Sequence, residues 1–225
     1  MLAVAFQGPE RVELVEKPDP ELLAADDAIV RITASGVCGS DLHIYHGRVQ
    51  VEPGFTIGHE YVGEVVAAGD GVTSVAVGDR VLGTFHVACG TCWFCRHGSF
   101  HKCDAGRTFG HGAGLGNLQG TQAELTLVPY ANLTLRKVPE GLADDIALFA
   151  GDVMGTAYHA IADAGTRPGD TVAILGLGPV GVCAVQVALA AGAAHVVAID
   201  TVEEEARPWG TDTRLDLALP IQRMA

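Results

Sequence analysis

Basic residues are scarce in this chain of 225 residues: 14 Lys and Arg face 27 Asp and Glu, which gives a formal net charge of −13. A protein that grips a nucleic-acid backbone needs a basic face, and anionic membrane surfaces attract polybasic segments. We therefore expect neither nucleic acid nor a membrane as a partner. Charged residues make up only 18% of the chain and hydrophobic ones 48%, so there is ample apolar surface to bury on folding.

The first residues, MLAVAFQGPERVEL, have no basic start, and their apolar run stops at Gln7. A secretory signal needs a longer apolar run and a cleavage site with small residues. We therefore expect a cytoplasmic protein. In a chain of this length without a signal peptide, cysteines spaced two residues apart suggest a metal site rather than disulfides.

The composition divides the chain into two parts. Short runs rich in Val and Ile, separated by turn residues, lie at 2–6, 12–15, 28–34, 61–67, 81–85 and 124–128. Such runs predict a small β-barrel or sandwich. Beyond Pro139, Ala-rich helical stretches precede a strand, a Gly-rich loop, a helix and a second strand, which together form a βαβ unit. The predicted domains are residues 1–148 and 149–225.

Four cysteines follow the spacing C-x2-C-x2-C-x7-C in the segment CGTCWFCRHGSFHKC at 89–103. Four thiolates this close can enclose Zn²⁺ in a closed tetrahedral site, which is the structural kind. Iron–sulfur ligation is one alternative, but its run has a shorter last gap and a Pro where Asp104 stands. Disulfide pairing, the other alternative, conflicts with the expected compartment. The predicted structural zinc ligands are Cys89, Cys92, Cys95 and Cys103.

No charged residue interrupts 171–199, a stretch long enough to span a membrane. Within it, however, Gly176-x-Gly178-x-x-Gly181 follows a strand and opens a helix, as in dinucleotide-binding loops. The first Gly permits the tight turn, the second the approach of pyrophosphate, and the third the contact between helix and strand. Pro179 suits the first helical position. Parallel strands covered on both faces read as apolar runs, which explains the missing charges without a membrane span.

Asp200 ends the second strand, 19 residues after Gly181. This is close to the offset at which an acid binds the ribose of NAD, and a carboxylate there repels the 2′-phosphate of NADP. The residues at 203–205 add three further negative charges. The pattern therefore predicts NAD as cofactor. The predicted cofactor-binding residues are Gly176, Gly178, Pro179, Val180, Gly181 and Asp200.

Two further motifs, GVCGSDLH at 36–43 and GHEYVGEVVAAGDGV at 58–72, precede the four-cysteine segment and the glycine loop. In this order and at these rough distances, the four features resemble the zinc-dependent medium-chain alcohol dehydrogenases, over residues 1 to about 200. The resemblance implies an α/β protein with an N-terminal β-rich GroES-like domain. An incomplete Rossmann-type parallel βαβ domain would follow it.

The resemblance also implies a catalytic zinc, which needs three protein ligands and one open position. Cys38 and His59 supply two of them. In the family the third ligand precedes the helix that leads into the cofactor domain, where Asp152 stands in this chain; a helix cap is the alternative role for Asp152. Glu60, beside His59, is implied to enter or leave the zinc shell during turnover.

Roles for the neighbouring residues follow from the same resemblance. Asp41 would accept a hydrogen bond from the His59 ring and fix its tautomer. Ser40 would bind the substrate oxygen, and His43 would carry the proton towards solvent. An ordinary surface histidine is the alternative for His43. Three other histidines are assigned no catalytic role and are taken as structural: His46, His111 and His159.

The activity implied is zinc-assisted transfer of a hydride between an alcohol, or an aldehyde or ketone, and NAD. One alternative is a truncated relative that only binds zinc or a partner. A second is the zinc-free quinone reductase branch, which lacks the four-cysteine segment and the catalytic cysteine. The family usually forms homodimers or homotetramers.

The end of the chain departs from the family pattern. A dinucleotide fold of this type has six parallel strands, but only 25 residues follow Asp200, and Pro208 interrupts the helix expected there. Residues 216–219 are at most a short strand. We therefore predict a truncated member without the usual dimer edge, with weak or absent turnover and an exposed sheet face. The residues predicted on that face include Val172, Ile174, Val197 and Ile199.

Overall fold

The computed structural model describes residues 1–201 and the backbone of 215–218. The chain forms two compact units, Met1–Gly151 and Asp152–Ala225. The division lies three residues beyond the boundary predicted from composition. Within the described residues, none of the helices is long and apolar enough to cross a membrane.

The first unit consists mainly of antiparallel strands. They are β1 (Leu2–Gly8), β2 (Arg11–Glu16), β3 (Ala28–Ser35), β4 (Phe55–Thr56), β5 (Tyr61–Ala68), β6 (Arg80–Gly83), β7 (His86–Val87), β8 (Arg107–Thr108), β9 (Leu125–Val128) and β10 (Leu135–Lys137). In the described part they form sheets with the orders β2-β1-β4, β10-β6-β5-β3-β9 and β7-β8. The short helices of this unit are α1 (Gly39–Tyr45), α2 (Trp93–Arg96), α3 (Ala131–Thr134) and α4 (Asp144–Ala147).

The pairing of β3 with β5 positions the first candidate site. Ala28 and Val30 of β3, and Tyr61 and Val65 of β5, are buried in one apolar cluster that holds the two strands together. The register places Ser35, the last residue of β3, opposite Tyr61, the first residue of β5. The segments just after β3 and just before β5 are therefore neighbours at one end of the sheet.

The segment between β7 and β8 carries the four cysteines. These two strands form a two-stranded antiparallel ribbon. Between them lie α2 and a 3₁₀ turn at Phe100–Lys102. The four-cysteine segment is therefore a lobe that is connected at both of its ends to the rest of the unit through this ribbon.

The second unit is a parallel βαβ arrangement. It contains α5 (Val153–Asp163), β11 (Thr171–Leu175), α6 (Pro179–Ala190), β12 (His195–Ile199) and β13 (Leu215–Ala218). Val153, Ala157 and Ile161 recur every four residues, so they share one face of α5, and they pack with residues of α6, β11 and β12 in a single core. The β-rich first part and the parallel second part confirm the predicted fold class.

The structure changes two details of the prediction for this unit. The short strand expected at 216–219 is β13, which pairs in parallel with β12, so the described sheet has three strands in the order β11-β12-β13. Val172 and Ile174 were wrongly expected on the exposed face. Ile174 is buried in the core with Val172 packed against it, because the side chains of β11 alternate between faces. Pro208 and residues 203–205 lie outside the described residues.

Candidate metal and nucleotide sites

The first candidate site lies where the segments after β3 and before β5 meet. The Gly36 N–H donates to the carbonyl of Glu60 at 3.1 Å, and the Ser35 hydroxyl donates to the same carbonyl at 2.9 Å. Cys38 is the N-cap residue of α1. One donor atom each from Cys38, His59 and Glu60 lies within 4.8 Å of the others. Main-chain pairing thus brings the thiol of Cys38 to an imidazole and a carboxylate, those of the adjacent residues His59 and Glu60, that lie about 20 residues further along the chain.

The His59 ring is buried, with 2% of its side chain exposed. Its Nδ1 lies 3.5 Å from Oδ1 of Asp41, which is also buried. Its Nε2 lies 3.3 Å from the Ser40 hydroxyl oxygen. The other oxygen of Asp41 accepts a hydrogen bond from the Cys38 N–H at 2.9 Å. Because Nδ1 faces Asp41, Nε2 is the nitrogen left for a metal.

The surroundings of Cys38 favour its thiolate form. The pKa of the Cys38 thiol is lowered, chiefly by a hydrogen bond with His59, and further by the backbone and hydroxyl of Ser40; burial acts in the opposite direction. A thiolate is the form of cysteine that ligates metals. A thiolate, an imidazole and a carboxylate together fit the donor preferences of zinc.

The carboxylate of Glu60 lies against the backbone of Gly36. The side chain is buried, and a Cβ atom at Gly36 would overlap its Oε2 atom. Glycine at this position therefore leaves the room that the Glu60 carboxylate occupies, and a larger residue would displace it. One oxygen of this carboxylate lies within 4.8 Å of the donor atoms of Cys38 and His59.

Asp152 is the first residue of the second unit and the N-cap residue of α5. Among the described residues its side chain makes no capping hydrogen bond to the first turn; Oδ1 accepts instead from the Thr156 hydroxyl at 3.1 Å. In the first unit, the carbonyl of the preceding Gly151 accepts from the Phe85 N–H at 3.3 Å. The role of Asp152 as a zinc ligand stays a prediction. The relay role of His43 also stays a prediction; this residue is exposed in the last turn of α1.

Two aromatic residues beside His59 were missed from the sequence. The ring of His111, which was taken as structural, lies 5.2 Å from the His59 ring between centroids, and the ring of Phe85 lies 6.4 Å away. Neither residue lies in one of the sequence motifs that contain a predicted metal ligand. Only the packing of separate loops brings them to the site.

The four cysteines of the lobe form the second candidate metal site. Their sulfur atoms all lie within 4.8 Å of one another, and each of the four is a free thiol. Backbone N–H groups point at these sulfurs: that of Cys92 donates to Cys89 at 3.3 Å, and that of Cys89 to Cys103 at 3.2 Å. The pKa of the Cys89 thiol is lowered to about 6, chiefly by a hydrogen bond from the Thr91 hydroxyl and further by the backbone N–H groups of Thr91 and Cys92. This closed set of thiolates fits a structural zinc.

The glycine loop opens α6 in the second unit. Gly176 has φ +90°, and a Cβ atom at Gly181 would overlap the carbonyl oxygen of Gly176, so both glycines are required locally. Gly178 is the N-cap residue of α6, and Pro179 takes the first helical position. The first-turn backbone N–H groups of a helix favour an anion such as pyrophosphate.

Asp200 lies beside this loop. Its Oδ2 accepts a hydrogen bond from the Leu177 N–H at 2.5 Å, and the Gly176 N–H donates to the carbonyl of Ile199 at 2.8 Å. The residue after β12 is therefore tied to the loop after β11. Val180 is 39% exposed in the first turn of α6. The predicted cofactor-binding residues thus meet at the carboxyl ends of two parallel strands, where nucleotides bind in such sheets.

Comparison with known proteins gives a consistent family. Residues 24–140 match the family described as the alcohol dehydrogenase GroES-like domain. The chain is 39% identical over 212 residues to an uncharacterized zinc-type alcohol dehydrogenase-like protein, AdhB, of Bacillus subtilis (strain 168). That match covers 90% of this chain and 56% of the relative. The chain thus spans little more than half the length of this relative.

Solved structures agree in fold. The alcohol dehydrogenase TADH from Thermus sp. ATN1 is 47% identical with a TM-score of 0.90, over 92% of this chain and 60% of that one. An alcohol dehydrogenase of Escherichia coli CFT073 was solved with NADH (28% identity, TM-score 0.83, covering 96% and 62%). A protein of Sinorhizobium meliloti 1021 was solved with NADP (32%, 0.79, covering 92% and 58%). Relatives of similar fold therefore hold either nicotinamide cofactor.

Proposed function

Because this chain belongs to the family of zinc-type medium-chain alcohol dehydrogenases, we propose that it transfers a hydride between an alcohol and NAD. In the reverse direction it reduces an aldehyde or ketone. The observation that carries the proposal is the meeting of Cys38, His59 and Glu60 in one cluster, with Asp41 buried behind the imidazole.

Cys38, His59 and Asp152 are the proposed protein ligands of a catalytic zinc. Glu60 stands beside them as a carboxylate that enters or leaves the shell. Chain connectivity supports Asp152, because it directly follows Gly151, whose carbonyl is bonded to Phe85, and the Phe85 ring neighbours that of His59. Zinc with three protein ligands and an open position supplies Lewis-acid chemistry that lowers the pKa of an alcohol.

Residues of this chain transfer the proton of the substrate hydroxyl to solvent. The Ser40 hydroxyl accepts a hydrogen bond from the substrate hydroxyl and passes the proton on. His43 lies three residues further along α1, where it is exposed and can release the proton to solvent. Asp41 holds the proton on Nδ1 of His59, so that Nε2 keeps its lone pair for the metal.

The glycine loop and Asp200 bind the cofactor, with a preference for NAD. The backbone N–H groups at the start of α6 take the pyrophosphate, and Asp200 accepts from a ribose hydroxyl. A 2′-phosphate at the same place would face the Asp200 carboxylate. Calorimetric titration of the chain with each cofactor is expected to show NAD binding at least about tenfold more tightly, a difference of about 1.4 kcal/mol. Equal or tighter binding of NADP would contradict this preference.

The four-cysteine lobe holds the proposed structural zinc. Its four sulfurs complete a tetrahedral shell, so no position is left for water or substrate. The zinc stabilises a segment that is otherwise anchored through the short β7–β8 ribbon. We expect it to resist chelators better than the zinc at Cys38.

A second candidate function is zinc binding with weak or absent turnover. The observation that favours it is the parallel sheet of the second unit, which shows three strands in the described residues, whereas a complete dinucleotide fold has six. In a complete dinucleotide fold, the other strands shape the nicotinamide half of the cofactor site.

Zinc analysis separates the proposed sites. The purified wild-type chain is expected to hold two zinc ions, and the Cys38→Ser and Cys103→Ser variants one each. NAD-dependent turnover of a panel of primary and secondary alcohols then separates the two candidate functions. Turnover that disappears in Cys38→Ser supports the dehydrogenase. Two zinc ions without turnover would favour the second candidate, and a count of one or none in the wild type would refute the two-site assignment.

A further inference from the structure

We propose that His111 is a positioning residue that fixes the orientation of the His59 ring. The inference rests on the proposed function, because it concerns a ligand of the catalytic zinc. The two rings lie 5.2 Å apart between centroids, with planes inclined at 61° in an edge-to-face arrangement. Phe85 approaches the same ring at 6.4 Å and 76°. The His59 imidazole therefore packs against two aromatic rings.

His111 is itself held by its backbone. Its Nδ1 lies 2.7 Å from the carbonyl oxygen of Phe109. A carbonyl oxygen only accepts, so Nδ1 of His111 carries a proton and donates it. The hydrogen bond joins the ring to the strand end from which its own loop begins, and it fixes the plane of the ring beside His59.

The loop that carries His111 is stacked on the backbone next to His59. Gly58 has φ +91° and Gly110 has φ +71°, and a Cβ atom at Gly110 would come within 2.5 Å of the Gly58 carbonyl oxygen. Two neighbouring glycines in the left-handed region therefore allow an approach that other residues would block. The residues that follow these glycines, His59 and His111, consequently have their main chains held at a fixed separation.

The His59 ring gains from this support on its Nδ1 side, where the facing carboxylate oxygen is distant. Nδ1 of His59 lies 3.5 Å from Oδ1 of Asp41, beyond the 2.7–3.2 Å typical of a strong N–H···O bond. Asp41 alone therefore restrains rotation about the Cβ–Cγ bond only weakly. The rings of His111 and Phe85 block that rotation sterically. His111 thus keeps Nε2 directed at the cluster of Cys38 and Glu60.

Three substitutions separate the ring of His111 from its hydrogen bond. His111→Phe keeps an aromatic ring, His111→Asn keeps a donor for the Phe109 carbonyl, and His111→Ala removes both. His159→Ala, at an exposed histidine of the second unit, is the control. Each chain is loaded with zinc in the lobe and Co²⁺ at the Cys38 site. The visible spectrum of the Co²⁺, its affinity by chelator competition and the thermal unfolding midpoint are then measured.

We expect His111→Ala and His111→Asn to weaken Co²⁺ binding by about 10–100-fold, the usual effect of losing a residue that orients a metal ligand, and to shift the spectrum. His111→Phe keeps the ring, so it should retain most of the wild-type affinity and a spectrum close to that of the wild type, although it loses the hydrogen bond to the Phe109 carbonyl. The inference is overturned if the Asn variant matches the wild type, or if the Phe variant binds as poorly as the Asn variant at an unchanged unfolding midpoint. A wild-type chain that takes metal only in the lobe refutes the proposed function instead.

Discussion

At the scale of single residues, Asp41 links the two strongest candidate ligands. One of its oxygens accepts the N–H of Cys38, and the other faces Nδ1 of His59. The Asp41 carboxylate is buried and has little contact with water, so these two neighbours are the groups that stabilise it. A negative charge here favours the Nδ1–H tautomer and raises the basicity of Nε2.

Asp41→Asn is expected to weaken zinc at the Cys38 site by about 10–100-fold while the lobe zinc stays bound. The amide has nearly the same shape but carries no charge to support the imidazole. Competition with a chromogenic chelator measures both sites in one titration, with the lobe as internal reference. Asp70→Asn, at an exposed turn position, is the control. Equal zinc affinity in both variants would show that the charge of Asp41 has no part in metal binding.

The sequence motifs predict which residues meet at this site but not what surrounds them. Cys38, His59 and Glu60 lie in two motifs whose family resemblance implies a shared metal, and the structure brings them together. Asp41 was predicted because it lies inside one of those motifs. His111 could not be, because its contact depends on the approach of Gly110 to Gly58, which requires positive φ angles at two positions far apart in sequence.

At the scale of elements, the turn from β11 into α6 contains three glycines, each present for a different steric reason. A Cβ atom at Gly181 would overlap the Gly176 carbonyl, whereas a Cβ atom at Gly178 meets nothing within 4 Å. Gly178 also has ordinary angles, with φ −63°. Its Cα therefore faces open space at the helix N-terminus, where the pyrophosphate is proposed to lie.

This difference predicts that two similar substitutions will act on different properties, one on stability and the other on NAD binding. Gly181→Ala should lower the free energy of unfolding of the second unit by about 1–3 kcal/mol, because backbone must move to admit the methyl group. Gly178→Ala should leave that free energy unchanged but weaken NAD binding at least about tenfold, since the methyl group occupies the phosphate position. Urea denaturation and calorimetric titration measure the two quantities. Normal NAD affinity in Gly178→Ala would place the pyrophosphate elsewhere.

Helices and strands could be predicted from the sequence where the hydrophobic pattern extends over many residues. The glycine loop between two apolar runs predicted β11, α6 and β12, and the parallel pairing of Thr171 with His195 follows from that order. The strand β13 was harder to predict, because four residues after a stretch without clear periodicity carry little signal. Its pairing with β12 is a tertiary contact that local sequence does not encode.

At the scale of the whole molecule, the parallel sheet of the second unit is covered unevenly on its two faces. In the second unit α5 and α6 contribute to the core on one face of β11 and β12. Side chains on the opposite face include Ala173, Leu175, Val197 and Ile199; Leu175 is 71% exposed. Parallel sheets are normally covered on both faces. Within the described residues of the second unit, α5 and α6 pack against the core face and leave this second face uncovered.

We therefore expect the chain to self-associate through this face as its concentration rises. Burial of one leucine stabilises a contact by about 1.5–3 kcal/mol, so Leu175→Glu should lower the association constant at least about tenfold. Leu14→Glu is the matched control, because Leu14 is also an exposed leucine on a strand, 65% exposed, but belongs to β2 of the first unit. Size-exclusion chromatography with light scattering over a concentration series measures the association. A wild-type chain that stays monomeric throughout the series, or an equal effect of both substitutions, would show that the open sheet face does not drive association.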